Sequence, residues 1–442
     1  MTWHVYPTIG RRDNFRPPNI RDKDREVRIP IESSGVPNEI STHKVWEILD
    51  LHHLNTNDVA VELYRLAVGV YSSDIRISRN GNAFDSWTRD IALYIPVTDI
   101  DLWDAVKDTL QEFLSFLTGD HWTIYMRQHK TSRPLKNMRA WKKGGAINGS
   151  TVSLFSGGLD SFIGAVDAIS KEESVTLVGH YDESITKGYQ RDIFKGFSSE
   201  FSPDQLRFLQ FYISAPAALT GQKESTKRSR SFLFLTLGTL VASALGEDGK
   251  LMVPENGFIS LNVPLTGTRL GSLSTRTTHP YTMHLFKKIL AGLGIKMMLD
   301  TPYRFLTKGE MIAQVKDLPI VQNYSRQTFS CAHLGQGRWD GVDPRKPCGY
   351  CLPCLIRRAS LYRNGLDVPK DYRFDALKFL PKGKRSSDFQ AIRIGLAHKK
   401  QRSAASSVLQ AGPLPATSEE ISQYIRVYER GVNEIETFLN QK

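Results

Sequence analysis

The chain has 442 residues, enough for a large buried core in two or three domains. Its 40% hydrophobic and 24% charged residues are those of an ordinary globular protein, and no run approaches the roughly eighteen apolar residues of a membrane span. Fifty-eight Lys and Arg against 46 Asp and Glu leave a net charge of +12, which favours anionic partners without choosing among nucleotide, nucleic acid and acidic protein. The start, MTWHVYPTIGRRDNFRPPNIRDKDREVR, has no apolar signal core, so a cytoplasmic protein with no membrane partner is expected.

Residues 1–30 are basic, contain prolines and lack periodicity, which predicts an extended arm or irregular strands. HKVWEILDLHHL (43–54) and NDVAVELYRLAVGVYSSD (57–74) repeat apolar residues at helical spacing. DIALYIPV (90–97) reads as a strand, with Pro96 pointing to an edge position or the exit into a loop. A helix is predicted over 99–120, capped by Asp99 or Asp101, with Leu102, Ala105, Val106, Leu110 and Phe113 on one face. HWTIYMRQ (121–128) resumes as a strand. Together these predict a small α+β domain over 1–129 that serves for docking, since its polar residues show no catalytic clustering. KTSRPLKNMRAWKK opens a basic linker over 130–149. Neither it nor the second basic stretch, 381–402, interleaves its cations with regular aromatics as a stacking platform would, so solubilising charge is the simplest reading.

At 151–165 the run TVSLFSGGLDSFIGA joins a strand end to a helix start. Gly157 and Gly158 let an anion approach the backbone, the first-turn N–H groups beyond them lack internal acceptors, and Ser156 and Ser161 add hydroxyls. The pattern is a phosphate cradle, with a capped helix start and incidental glycines as the bland alternative. It lacks the lysine of a Walker A loop. Asp160 would repel phosphates without a cation between them, so Mg²⁺ is expected there.

Further on, 174–182, 206–215 and 250–257 are β-prone, and SFLFLTLGTLVASALG (231–246) is apolar nearly all round, hence a buried helix. The alternation predicts an α/β fold: a parallel sheet with helices on both faces, over 150–365. The chain's four cysteines, Cys331, Cys348, Cys351 and Cys354, fall within 24 residues as C-x16-C-x2-C-x2-C. That spacing fits a closed Cys₄ zinc site in a lobe at 331–354, with redox or iron–sulfur chemistry as alternatives, and His333 could replace a thiolate. Residues 366–442 form an extension of polar loops and a docking helix at 418–439 that Ser418 would cap.

SGGLDS resembles the PP-loop of the ATP pyrophosphatase superfamily, whose members bind ATP and adenylate a carbonyl or carboxylate oxygen. FSC…KPCGYCLPCLIRR resembles the zinc motif of QueC-type 7-cyano-7-deazaguanine synthases, and TPYRFLTKGEMI (301–312), PENGF (254–258) and TKRSRSFLFLTLG (226–238) resemble the segments preceding it. The longer plan, with DSWTRDIALYIPV and FLTGDHW in front, is similar to QueC-like proteins of bacterial anti-phage defence, the QatC type of the four-gene Qat systems above all. The resemblance implies an adenine nucleotide alpha hydrolase-like fold that binds ATP through Ser156, Gly157, Gly158, Leu159, Asp160 and Ser161. Adenine is implied against Val178 to His180, with Glu255 at the strand-end acidic position and Arg228 or Arg230 facing phosphate. Asp160, Ser161, Lys308 and Arg357 are the implied catalytic set, and Glu310 matches a family glutamate. Departures fall at Phe162, at 274–290 and in the long gap after Cys331.

The implied activity is a ligase that adenylates a 7-deazaguanine carboxylic acid and transfers it to a nitrogen nucleophile, with an amine of a defence-operon partner protein as one such acceptor. Ammonia-dependent nitrile (preQ0) synthesis is the first alternative; a nucleic-acid modifier or a non-catalytic scaffold is the second. A thiouridylase-type modifier needs a cysteine to carry sulfur, and all four are committed to the metal motif. Base contacts are expected at 258–262 and 275–279, with His279 itself a loop-packing residue.

Overall fold

The computed structural model describes all residues except 84, 86, 131–132, 148, 172–173, 216–222, 225–226, 265–275, 334, 340, 379–386, 398–402 and 442. Thr275 lies outside the described residues, as do parts of the stretches expected as polar loops, 383–390 and 399–420; where those stretches are described they are corrected in part, since helices Ser387–Ala397 and Ala404–Ala411 occupy them. The described residues form an α/β structure of two all-parallel sheets flanked by helices.

The first sheet contains β1 (Trp3–Ile9), β2 (Arg25–Ile31), β3 (Asp90–Val97) and β4 (His121–Gln128), in the order β2-β1-β3-β4. This corrects two expectations. Residues 1–30 are an ordered parallel strand pair, and the N-terminal region is α/β rather than α+β. β3 and β4 were recognisable, but alternation carries no strand direction, and the β1–β2 crossover contains no helix to reveal it. Pro96 is not on an edge strand, since β3 lies between β1 and β4; β1 pairs only with residues 91–93, so the proline sits beyond that ladder. The helix expected over 99–120 is broken into Ile100–Asp104, capped by Asp99, and Lys107–Thr118.

The second sheet contains β5 (Thr151–Leu154), β6 (Val175–Tyr181), β7 (Leu206–Tyr212), β8 (Lys250–Met252) and β9 (Met298–Asp300), ordered β7-β6-β5-β8-β9. The chain winds outward from β5 in one direction and then, from β8, in the other. That reversal leaves a crevice beyond the carboxyl ends of β5 and β8, the place where open parallel sheets bind ligands. Val152 and Leu154 of β5 point into one core with the buried helix Arg230–Ser243, whereas Phe155 joins another with the helix Leu159–Lys171. The first of these cores continues without a break into the N-terminal region, where helix Asp58–Arg76 packs on helix Arg230–Ser243 and Phe113 meets Phe232 edge-on. Between the sheets, helix Met138–Lys143 packs on helix His43–Leu51, so the basic linker is partly fixed.

The C-terminal helix Ser418–Leu439 docks as expected, though its cap is Thr417 in a capping box with Glu420 rather than Ser418. It packs on helix Leu352–Arg363 and on the turn Gly257–Ser260, placing Phe438 and Ile435 against the cysteine lobe and Tyr428 beside Phe258. No described helix is long and apolar enough to cross a membrane.

Candidate functional site

A cleft of about 1010 Å³ opens at the reversal point. Its floor is the turn after β5. Phe155 N–H still bonds Val178 O (2.7 Å), after which Gly157 takes φ +85°, a left-handed conformation that favours glycine. A side chain at Gly158 would meet Phe329 O at 3.2 Å, so the second glycine allows the cysteine-lobe backbone to close over the turn. Ser161 Oγ donates to Gly158 O (2.9 Å), and Gly158 N–H donates to Ser156 Oγ (3.2 Å).

Asp160 begins the following helix and is buried at the centre of the cleft. Asn256 Nδ2 donates to its Oδ2 (2.7 Å), and Lys308 Nζ stands 3.3 Å from its Oδ1. Asn256 is itself fixed, because its Oδ1 caps the short helix Gly257–Ser260. Glu255 shares the site. Burial, then the charge and hydrogen bond of Asp160, push its carboxyl well above the usual range, and Lys308 opposes the shift only in part. With both carboxyls ionised, Asp160, Glu255 and Lys308 leave one negative charge uncompensated, and the two carboxyls are the oxygen donors that a cation entering the cleft could meet.

The wall beyond β6 pairs two cations, Lys227 and Arg230, with two carboxylates, Asp182 and Glu183. Arg230 Nε donates to His180 Nδ1 (3.3 Å), while His180 Nε2 meets Ile213 O (3.0 Å). Burial, then the Arg230 charge, lower His180 to about 3, so its ring is neutral. Lys227 Nζ donates to Asp182 (2.6 Å) and Glu183 (2.8 Å). Burial works against ionisation of Asp182, yet Arg230 and Lys227 hold its carboxyl down at about 2.

This wall is braced from the N-terminal region. Tyr71 Oη donates to Asp182 Oδ2 (2.9 Å), and Asp74 Oδ2 accepts from both N–H and Oγ of Ser229 (each 2.9 Å), fixing the turn from which Arg230 extends. Asp74 is in turn held by the buried Arg89, which also binds Asp120. Of the two arginines expected near phosphate, Arg230 lines the cleft, while Arg228 turns away to bond Thr118 O (2.8 Å) and lie over Trp87.

The opposite wall is the cysteine lobe. The four Sγ atoms lie within 4.8 Å of one another, the scale of a tetrahedral metal site. Backbone N–H groups of His333 and Cys348 point at Cys331 Sγ (3.3 Å each), and that of Cys351 points at Cys348 Sγ (3.4 Å), the pattern that stabilises thiolates. Cys331 reaches the cleft, whereas the other three are fully buried behind it. Phe258, Ile259 and Asn262 also line the cleft.

Three expected site residues do not face the cleft. Val178 is wholly buried in β6, beneath a rim formed by Leu154, His180 and Phe234. Arg357 is buried away from it, with its guanidinium bound to Ser325 O and Arg326 O (3.1 Å each), Thr328 and Tyr372, so it shapes the strand of chain that leads to Phe329. Glu310 closes a capping box with Thr307 and grips Arg430 of the C-terminal helix (2.7 Å). Its role is to hold the helix that carries Lys308. His279 is a buried N-cap for Tyr281 N–H, as a packing residue should be. Sequence reasoning missed Tyr71, Asp74 and Lys227; only Lys227, inside the basic turn TKRSRS, had a local signal. Comparisons with protein-family models, curated proteins and solved structures found no match to this chain.

Proposed function

We propose that the protein is an ATP-dependent carbon–nitrogen ligase similar to the QueC-like enzymes of antiviral defence. It adenylates a 7-deazaguanine carboxylate and passes the acyl group to a nitrogen nucleophile, an amine of a partner protein. The observation that supports this most is the meeting of the glycine turn, the Asp160–Glu255–Lys308 cluster and the four-cysteine lobe on one cleft at the reversal point of a parallel sheet.

In the first step a carboxylate oxygen of the substrate attacks the α-phosphorus of ATP. The new P–O bond replaces that to the β-phosphate oxygen, and pyrophosphate leaves. In the second the amine nitrogen attacks the acyl carbon, AMP departs with the electron pair of the broken C–O bond, and the amine proton passes to solvent. Such chemistry consists mostly of positioning and charge. The turn 156–161 offers N–H and hydroxyl groups to phosphates, Lys227 and Arg230 offer positive charge, and Leu154, His180 and Phe234 offer a rim for the adenine. Lys308 sets the Asp160 carboxylate and would offer its charge to a phosphate oxygen. Asp160 and Glu255 would hold Mg²⁺, which supplies neutralising charge when bound. The four cysteines would hold zinc with no open position, a structural role.

The test is to incubate the protein with ATP, Mg²⁺, 7-carboxy-7-deazaguanine and candidate partner proteins. The expected result is pyrophosphate release with an intact-mass increase on one partner. Asp160→Asn should lower pyrophosphate release by about 10²–10³-fold while the fold persists. Free nitrile accumulating with ammonia, partners unmodified, would assign the nitrile synthase instead. An Asp160→Asn variant as fast as the parent would end the assignment of this cleft.

A further inference from the structure

The carboxyl ends of β5 and β6 and the first peptide of the glycine turn converge on one side chain. Gln190, on helix Ser184–Glu200, is wholly buried and does not line the cleft. Its Nε2 donates to His180 O (3.1 Å), Phe155 O (3.3 Å) and Ser156 O (3.3 Å), two hydrogens shared among three acceptors. Three carbonyls admit only the amide nitrogen on their side, which fixes the way the amide faces. Its Oε1 accepts from Gln210 Nε2 of β7 (2.8 Å). Two glycines make the room. A side chain at Gly157 would meet Gln190 Cγ at 3.2 Å, and one at Gly179 would meet Gln190 Oε1 at 3.1 Å.

This clamp decides where the N–H groups of the turn point. In a planar trans peptide the carbonyl and the following N–H face opposite ways. Phe155 O and Ser156 O are drawn toward helix Ser184–Glu200, so the N–H groups of Ser156 and Gly157 face away from it, on the side where Ser156 and Gly158 line the cleft. Neither N–H has an acceptor among the described residues. Successive N–H groups on one side of a chain with a left-handed residue, here Gly157 at φ +85°, form the backbone concavity that binds anions. The third carbonyl ties the clamp to the charged wall, because His180 O also accepts from Arg230 Nη2 (3.4 Å).

We infer that Gln190 is the positioning residue of the glycine turn, holding the Ser156 and Gly157 N–H groups toward a phosphate that it never touches. The inference rests on reading the turn as a phosphate cradle. A brace that only satisfied buried carbonyls would stabilise the fold without changing the affinity of the folded chain for phosphate.

Titration calorimetry of the full chain with Mg²⁺ and inorganic pyrophosphate, repeated with ATP, tests it, with melting curves to select folded samples. Gln190→Met keeps the length and removes the donors, so the carbonyls are free to turn and affinity should fall at least about tenfold. Gln190→Glu should bind as weakly at about pH 8, where the ionised acid repels the three carbonyls. At about pH 6 the buried acid regains its proton and one donor, so its affinity relative to the parent should recover, while that of Gln190→Met should not. Gln210→Leu, at a half-buried position, releases Oε1 and should weaken binding about threefold; it decides the matter if no variant at 190 folds. A parent that binds neither ligand would end the cradle reading and this inference with it. A parent that binds both, matched by folded Gln190→Met or by Gln210→Leu, would overturn this inference alone, as would a Gln190→Glu variant whose relative affinity ignores pH.

Discussion

The two walls of the cleft are held by different physics. The cysteine wall draws its ligands from 24 consecutive positions, braces them with backbone N–H groups and seals them under Phe438 and Ile435 of the C-terminal helix. The wall beyond β6 has no such local unit. Its Lys227, Arg230 and Asp182 are oriented by Asp74 and Tyr71, side chains more than a hundred residues away, through a buried lattice of charges. One wall is a self-contained knot fastened to the rim; the other is shared property of two sheets. The difference makes the N-terminal region part of the site's frame rather than an appendage, because its core continues beneath β5 and β6.

The cysteine wall should therefore fail all at once. Replacing one buried ligand, Cys351→Ser, is expected to release the metal and cost more than about 5 kcal/mol, since metal binding and folding are coupled in such lobes. Metal analysis alongside denaturant unfolding measures both. A variant that keeps a full metal complement with unchanged stability would show the four thiols to be incidental. The charged wall should fail more gradually. Asp74→Ala leaves Arg89 buried with one carboxylate partner, Asp120, and strips Ser229 of its acceptor, which is expected to cost about 3–5 kcal/mol. In the folded fraction ATP should bind more weakly, because Arg230 loses its anchor, while metal content stays unchanged. If Asp74→Ala instead released the metal, the two walls would be one cooperative unit and the distinction would fall.

The same contrast explains what could be read from the chain. Cys331 to Cys354 were legible as a cluster able to hold a metal, and 156–161 as a glycine turn from strand to helix, because each is a local pattern of residue types and spacing. The parallel sheet followed from strand–helix alternation for four of its strands, whereas β9, only three residues long, left no readable run. Asp74 and Tyr71 were invisible, lying on a helix of ordinary amphipathic appearance, where only tertiary packing places them 2.9 Å from Ser229 and Asp182. Arg357 and Glu310 show the converse: a local pattern locates a residue but not the direction of its side chain, and backbone carbonyls and a capping box claimed these two.

The finest separation of the walls comes from pH. His180 sits in the charged wall, held neutral by burial and then by Arg230, with its pKa lowered to about 3 from an ordinary 6.5. Between those values the unfolded chain binds a proton that the folded chain refuses, so stability must fall as pH drops from about 6.5 toward 3. From pH 7 to pH 5 this one ring should account for about 1–2 kcal/mol. His52 and His279, also lowered by burial, act in the same direction but lie outside this wall. His180→Gln keeps a polar side chain and removes the titration. Urea unfolding at the two pH values should therefore show the variant losing less stability than the parent, by that amount. An identical pH dependence in both proteins would mean that His180 is hydrated and protonated in the folded chain, and the tight Arg230–His180 packing that braces this wall would have to be abandoned.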